Sequence, residues 1–300
     1  MFLNVRVLTR SLRTSRYLKE RRRRGENDEA VVVRQTLSAP SVNLYVAALV
    51  SLYQTQVAEG SNPHPHPRGA KLKAVLEHRL RQESVRKKTE YADRAAGTMI
   101  DGYDPRHLQR FVRACWTSWS QGRGVSSPTV EAFLRTSCDF LIAHQMLLRG
   151  ESRRTLEFPD LFSLELKNEG PTTCTAMVLI MHNGKTNQHN RLEYAVSVRN
   201  KDPLLCPLSQ LACYLFYRWN VVREPVPQFQ QRQLWYDLKV VKGSAPTNPL
   251  SYETHLQWTN KIFALANLSS LKKTHAGRKN GALEAELNGV SEAQIRRAGR

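Results

Sequence analysis

The hydrophobic period of this chain changes twice, and those changes limit what it can fold into. Through roughly the first half, apolar residues recur every three or four positions, as one face of a helix requires. From Phe158 the pattern shortens. Phe162, Leu164 and Leu166 alternate, and residues 175–182 form a run rich in Val, Leu, Ile and Met, which together predict strands. The peptide His182-Asn183-Gly184-Lys185-Thr186-Asn187 carries the Asn-Gly pair of a tight hairpin, and residues 191–198 supply the return strand. Helical patterning resumes over 203–219 and 251–268, with two last helices at 280–287 and 291–300 and a polar, Pro-punctuated insert around 228–249. The expected fold class is mostly α with a small antiparallel β-sheet.

Upstream, Ser38-Ala39-Pro40-Ser41 predicts a helix start. In the helix that follows, Leu44, Tyr45, Ala48, Leu49, Leu52 and Tyr53 share one face. Residues 60–69, with His64-Pro65-His66-Pro67, read as a loop. Residues 71–89 form a second, strongly basic helix with Leu72, Val75, Leu76 and Leu80 as its buried stripe. Its other face carries Arg79, Arg86, Lys87 and Lys88, which can lie along a phosphate backbone or simply be solvated. A third helix spans 108–119, and Gln121-Gly122-Arg123-Gly124 breaks the pattern. These breaks predict a basic N-terminal segment at 1–35, a helical domain at 36–120 and a second domain at 125–300, with the boundary somewhere in 101–127.

Charge narrows the function. Lys and Arg outnumber Asp and Glu by 45 to 26, a formal net charge of +19, with 41% hydrophobic residues to build a core. Such an excess points to a polyanionic partner, with nucleic acid the default. No apolar run is long enough to span a bilayer. The five cysteines lack CxxC spacing and read as reduced thiols, neither a disulfide frame nor a zinc site. Nothing in the sequence calls for a metal or a small-molecule cofactor. Residues 1–24 are rich in Arg, Ser and Leu, as in a mitochondrial transit peptide. Their closing Arg21-Arg22-Arg23-Arg24 reads equally well as a nuclear-import or DNA-backbone patch, and a nuclear setting is the preferred reading.

Four residues have the chemistry to hold a phosphodiester: Arg149, in Arg149-Gly150-Glu151-Ser152-Arg153, Lys185 at the hairpin, and His275 and Arg278 in His275-Ala276-Gly277-Arg278. Arginine neutralises non-bridging oxygens by bidentate contacts. Lysine can protonate a leaving oxygen, and histidine can act as base or donor. His275 and Arg278 lie one helical turn apart, so their side chains can converge.

In this order and with their flanks, these residues resemble the tyrosine recombinase and integrase superfamily. Met146-Leu147-Leu148-Arg149-Gly150-Glu151 with Asp160-Leu161 resembles its first arginine box. Gly184-Lys185-Thr186 resembles the hairpin lysine, and Thr274-His275-Ala276-Gly277-Arg278 the HxxR box. Residues 41–53, 98–103 and 147–154 are similar to fungal proteins related to domain II of the budding-yeast centromere-binding kinetochore subunit, relatives of which include the recombinases of Crypton transposons. The resemblance, over residues 36–300, implies a helical N-terminal domain followed by a recombinase-like catalytic-type domain.

It further implies that Arg149 and Arg278 clamp the phosphate, Lys185 is the general acid, His275 assists protonation and Glu151 orients Arg149. Arg153, Lys272, Lys273 and Lys279 join Arg149, Lys185 and Arg278 as expected DNA contacts. The superfamily's nucleophilic Tyr is expected past Arg300, while Tyr236 and Tyr252 precede the HxxR box and read as packing residues. The expected function is therefore clamping of double-stranded DNA through phosphates, without strand cleavage by these residues alone. The alternative is a Crypton-type recombinase whose chain extends to a Tyr. A homodimer or tetramer on DNA is compatible with either.

Overall fold

The computed structural model describes residues 37–89, 101–120, 125–169, 173–181 and 191–299, with the side chain of Lys87 excepted. The basic segment 1–35, the Gln121-to-Gly124 break, and the hairpin peptide with Asn183, Gly184 and Lys185 lie outside the described residues. Two compact units are present, residues 1–93 and 94–300.

In the first unit, α1 (Ala39–Ala58) and α2 (Ala70–Thr89) form a helical pair. Ser38 caps α1, its side chain accepting from the Ser41 N–H, and the Ala39 N–H donates to Glu83 of α2 at 2.9 Å. A carboxylate there satisfies an orphan donor and meets the positive end of the helix dipole. The buried face of α1 is rotated from the one expected. Ala39, Val42 and Val46 are buried, while Leu44 is 72% and Leu52 54% exposed. On α2, Val75 and Leu80 are likewise exposed rather than part of a buried stripe. Periodicity identifies a helix, but where two apolar faces compete the partner helix chooses between them. The Pro-rich loop folds back so that His66 meets the Tyr53 ring edge-on at 5.3 Å.

The second unit contains α3 (Pro105–Ser120), α4 (Ser127–Gln145), α5 (Gly150–Thr155), β1 (Leu161–Leu166), β2 (Cys174–Met181), β3 (Glu193–Ser197), α6 (Pro207–Phe216), α7 (Tyr252–Leu265), α8 (Lys273–Leu287) and α9 (Glu292–Ala298). Helix α4 is its axis, buried all round from Ala132 to His144. One side, with Val130, Leu134, Cys138 and Ile142, packs against Met177, Leu179 and Ala195 of the sheet and Leu211 and Tyr214 of α6. The other, with Phe133, Phe140 and Leu141, meets Phe111, Val112 and Cys115 of α3 and Ile262 and Phe263 of α7. Phe111 and Phe140 stack with ring centroids 4.0 Å apart. Burying each such side chain contributes about 1.5–3 kcal/mol.

The two compact units divide earlier in the chain than the sequence breaks suggest. Helix α3 was assigned to the N-terminal domain, yet its stripe Leu108, Phe111, Val112 and Cys115 is buried on α4, and the division falls between residues 93 and 94. The expected sheet is present as three antiparallel strands in the order β1-β2-β3, with Leu161 opposite Leu179 and Met181 opposite Glu193. The insert expected to be merely polar enters the core: Val240 and Val241 are fully buried, and bridges join Glu157 to Lys239 and Lys242 to Pro249. Among the described residues no helix is long and apolar enough to cross a membrane.

Candidate phosphate-binding site

The site is built at the C-terminal end of α4. Met146 caps that helix, Leu147 adopts a left-handed backbone (φ 54°), and Arg149 occupies the N-cap of α5 in extended conformation. A left-handed backbone at a residue other than glycine is strained and persists only where packing over-determines it. Here Met146, Leu147 and Leu148 are all buried and fix the corner. Arg149 is therefore held on a rigid bend.

Helix α8 brings the second arginine. Gly277 and Gly281, four residues apart, face the end of α4. A Cβ at Gly281 would stand 1.8 Å from the His144 carbonyl oxygen, and one at Gly277 would stand 2.8 Å from the Ala143 Cβ. The missing side chains let α8 approach the backbone of α4, and Arg278, between the two glycines, is carried toward Arg149. Asn280 clips the approach from behind: it accepts from the Tyr103 N–H at 3.2 Å and donates to the Ala276 carbonyl at 2.9 Å. The Tyr103 hydroxyl meets His144 Nδ1 at 2.8 Å, and His144 Nε2 meets Glu284 at 3.0 Å.

Arg149 and Arg278 consequently line one open cavity of about 490 Å³ with Leu147, Arg191, Ala282, Ile295, Arg296 and Gly299. Burial, with the fields of Arg149 and Arg153, pushes the Arg278 guanidinium down to about 10. Its Nη2 donates to the Gly299 carbonyl, whereas Nη1 is buried without a hydrogen-bond partner among the described residues. Two guanidiniums held together against their own repulsion, one with a buried unused donor, favour an anion between them.

His275 stands exposed in the first turn of α8. Partial burial of its ring, followed by the charges of Arg153, Lys272, Arg278 and His255, pushes the imidazole below its ordinary 6.5. It is neutral at pH 7 and can donate or accept one proton. Lys272 is exposed at the N-cap of the same helix. Lys273 turns inward over the Phe263 ring at 5.7 Å, and Lys279 donates to the Asp101 carbonyl at 2.5 Å. Glu151 is exposed in the first turn of α5. Arg79, Arg86 and Lys88 lie on α2 in the first unit, and Lys185 lies outside the described residues.

Arg153 is placed otherwise than expected. It is 2% exposed, its Nε donates to Asp139 at 2.9 Å, and Nη1 donates to the Leu148 carbonyl at 3.3 Å. His255 Nε2 holds the other Asp139 oxygen at 3.0 Å. Burial pushes the Asp139 carboxyl up, but Arg153 and His255 outweigh it and hold the acid far below the ordinary carboxylate range. Arg153 is thus an interior strut beneath the site, its charge paired with Asp139. Sequence reading also missed Asp139, His255, Arg191 and Arg296. The one signal within reach was Gly277 and Gly281, a glycine pair at helical spacing inside a helix, which usually marks close packing. Among the described residues, no three His, Cys, Asp or Glu side chains cluster as metal ligands would.

No curated protein matches the chain. Its fold is similar to that of the XerH site-specific recombinase in a post-cleavage complex with palindromic difH substrate, with a TM-score of 0.50 at 13% identity over 88% of this chain and 61% of that one. The pre-cleavage complex of XerH with difH gives a TM-score of 0.44 at 14% identity, covering 66% of this chain and 46% of that one. The chain therefore spans less than two thirds of the length of these solved recombinases. The architecture is that of a tyrosine recombinase: helical, with a small antiparallel sheet. Residues 56–300 match the family described as centromere DNA-binding protein complex CBF3 subunit, domain 2, and the chain belongs to that family.

Proposed function

We propose that this chain clamps duplex DNA through phosphate contacts on a tyrosine-recombinase-like frame, in the nucleus. The observation that carries the reading is the convergence of Arg149 and Arg278 on one open cavity. The formal net charge of +19, the centromere DNA-binding complex named in the family description and the DNA complexes of XerH support it. In this reading Arg149 and Arg278 grip a backbone phosphate, Lys272 at the N-cap of α8 adds a contact, and the cations of α2 in the first unit add non-specific contacts. Phosphate contacts position a protein on DNA without reading bases, so affinity should fall steeply with salt.

The test is binding to random-sequence duplex as a function of salt. Arg149→Ala and Arg278→Ala should each weaken binding roughly tenfold to a hundredfold at low salt and flatten the salt dependence. If neither changes affinity or slope, or if the parent chain shows no binding at low salt, the reading fails.

A second reading, strand cleavage and rejoining of the Crypton type, is favoured by one observation: the His275 imidazole, one turn before Arg278 on α8 and within its field, is held below its ordinary 6.5. In it Lys185 is the general acid, His275 assists protonation and Glu151 orients Arg149. Among the described residues, the lining of the cavity contains no tyrosine. Tyr236 and Tyr252 are exposed, and Arg154 lies over the Tyr252 ring at 5.5 Å. A covalent 3′-phosphotyrosyl adduct on suicide DNA would establish cleavage; absence of an adduct from a chain extended to the next tyrosine would leave binding alone.

A further inference from the structure

The three-stranded sheet has two apolar faces, and the core covers one of them. The register of β1, β2 and β3 sorts their side chains into two sets. Met177, Leu179 and Ala195 belong to the set buried against α4 and α6. The opposite set puts Phe162, Val178 and Val196 in one row. Ile180 opposite Tyr194 flanks that row on one side, and Leu164 opposite Ala176 on the other. Leu192 and Val198 continue the alternation past the two ends of β3, and both are exposed. Among the described residues, neither core cluster includes any of this second set. Ala176 and Val178 lie buried on the middle strand, while the edge strands leave Phe162 39%, Leu164 50%, Tyr194 55% and Val196 50% exposed.

An antiparallel sheet with one face in water normally alternates apolar and polar residues. Here the outward positions carry no charge, and Tyr194 supplies their only hydroxyl. Scaled by side-chain size, the exposed fractions leave roughly 600 Å² of apolar surface on one copy, the upper end for the largest patch of a typical monomer. Two such faces packed together remove roughly 1,200 Å² from water, which reaches the lower end of specific interfaces. The face does not suit a polyanion, because phosphates need cations and none stands among these side chains. It does suit a second copy. The chain carries a formal net charge of +19, so two copies repel, and an uncharged face lets them meet without setting like charges against each other.

We propose that this outer face is a self-association surface, on which a second copy of the chain packs sheet against sheet about a two-fold axis. The same patch then serves both copies, and its apolar rows meet at the ~10 Å spacing of stacked sheets. An interface of this size and composition gives a reversible dimer in the micromolar range. Its salt dependence is opposite in sign to that of a phosphate contact. Salt screens the repulsion between two cationic copies and strengthens the dimer, whereas it weakens binding to DNA. Self-association through this face does not depend on DNA.

The test is sedimentation velocity of the full chain, without DNA, from about 1 to 100 µM at two salt concentrations. The parent should pass from monomer to dimer across that range, and more readily at the higher salt. Tyr194→Lys and Val196→Lys keep long apolar stems at exposed positions but set charge against charge across the two-fold axis. Each should weaken the dimer roughly tenfold, and the two combined roughly a hundredfold, with the melting temperature unchanged. Leu265→Lys, at an exposed leucine of α7 on the other side of α4, should dimerise as the parent does. A parent that stays monomeric at the highest concentration overturns the proposal. So does a dimer that the sheet variants leave intact, or one that Leu265→Lys weakens equally. A melting temperature lowered by several degrees in both sheet variants would show that the chain covers the face itself. A severalfold change in their affinity for duplex DNA, measured below the dimerisation range, would place DNA there. Either result also overturns it.

Discussion

Arg149 and Arg153 stand one helical turn apart on the same short segment, and their surroundings are opposite. Arg153 is buried, with Asp139 and a backbone carbonyl taking its donors and His255 completing the pair on Asp139. Arg149 faces an open cavity across from Arg278, whose guanidinium is held down to about 10 by burial and by like charge. The first arginine stabilises the fold; the second is positioned at a cost that an anion can offset. Identical side chains four residues apart thus meet opposite surroundings: one is buried on Asp139, the other lines an open cavity.

Four measurements would break or sharpen that contrast. The largest effect belongs to the buried side. Asp139→Asn or Arg153→Ala should each cost about 3–5 kcal/mol of unfolding free energy, because the remaining partner is left as an uncompensated buried charge. Arg149→Ala should stay within about 0.5 kcal/mol of the parent. Equal losses for Arg149→Ala and Arg153→Ala in chemical denaturation would erase the distinction. The Asp139 charge also makes stability depend on acid. Its carboxyl is depressed in the folded state, so the contribution is full above the unfolded carboxylate range and is lost as pH falls from there through the lower folded value.

The next effect reverses the test and reads ligand binding. Arg278→Ala removes a buried, repelled charge, so DNA affinity should drop roughly tenfold or more while the melting temperature holds or rises. A matching fall in both would make Arg278 a structural residue like Arg153.

Gly281→Ala probes how the open side is assembled. The added Cβ meets the His144 carbonyl, a backbone atom that cannot rotate away, so α8 must shift from α4. Overpacking of this kind costs about 1–3 kcal/mol, and DNA affinity should fall although every arginine is retained. Unchanged affinity would show that the arginines do not depend on the close helix contact.

The smallest effect is a proton. Because the folded protein depresses His275 below 6.5, the unfolded chain takes up that proton more readily; the group leaves stability unchanged well above 6.5 and lowers it as pH falls below. A bound phosphate opposes that depression. DNA affinity should therefore rise a few-fold as pH falls below about 6.5, with proton uptake on binding, and His275→Gln should lose that rise. A pH-independent affinity in the parent would remove His275 from the site.

Much of this molecule was legible from its residues. The shift from a three-to-four-residue period to alternation at Phe158 located the sheet, and the order of Arg149, His275 and Arg278 with their flanks identified the frame. What could not be read were relations between distant segments. Helix α3 precedes a glycine-rich break and looked like the end of the N-terminal domain, but its apolar stripe finds its partner on α4. The Val240-Val241 pair sits in a polar insert, and burial there depends on the sheet and α6 around it.

By itself, the sequence determined which elements form and which residue types are available to hold phosphate, because periodicity, capping and turn chemistry are local. The tertiary structure alone decided that Arg153 would be spent in the core and that Arg149 and Arg278 would line one cavity. That choice depends on Asp139 and His255 arriving from other elements, and on Gly277 and Gly281 letting two backbones meet. A charge has no assigned role until its neighbours in space are known, since the field it feels falls with distance through the fold rather than along the chain.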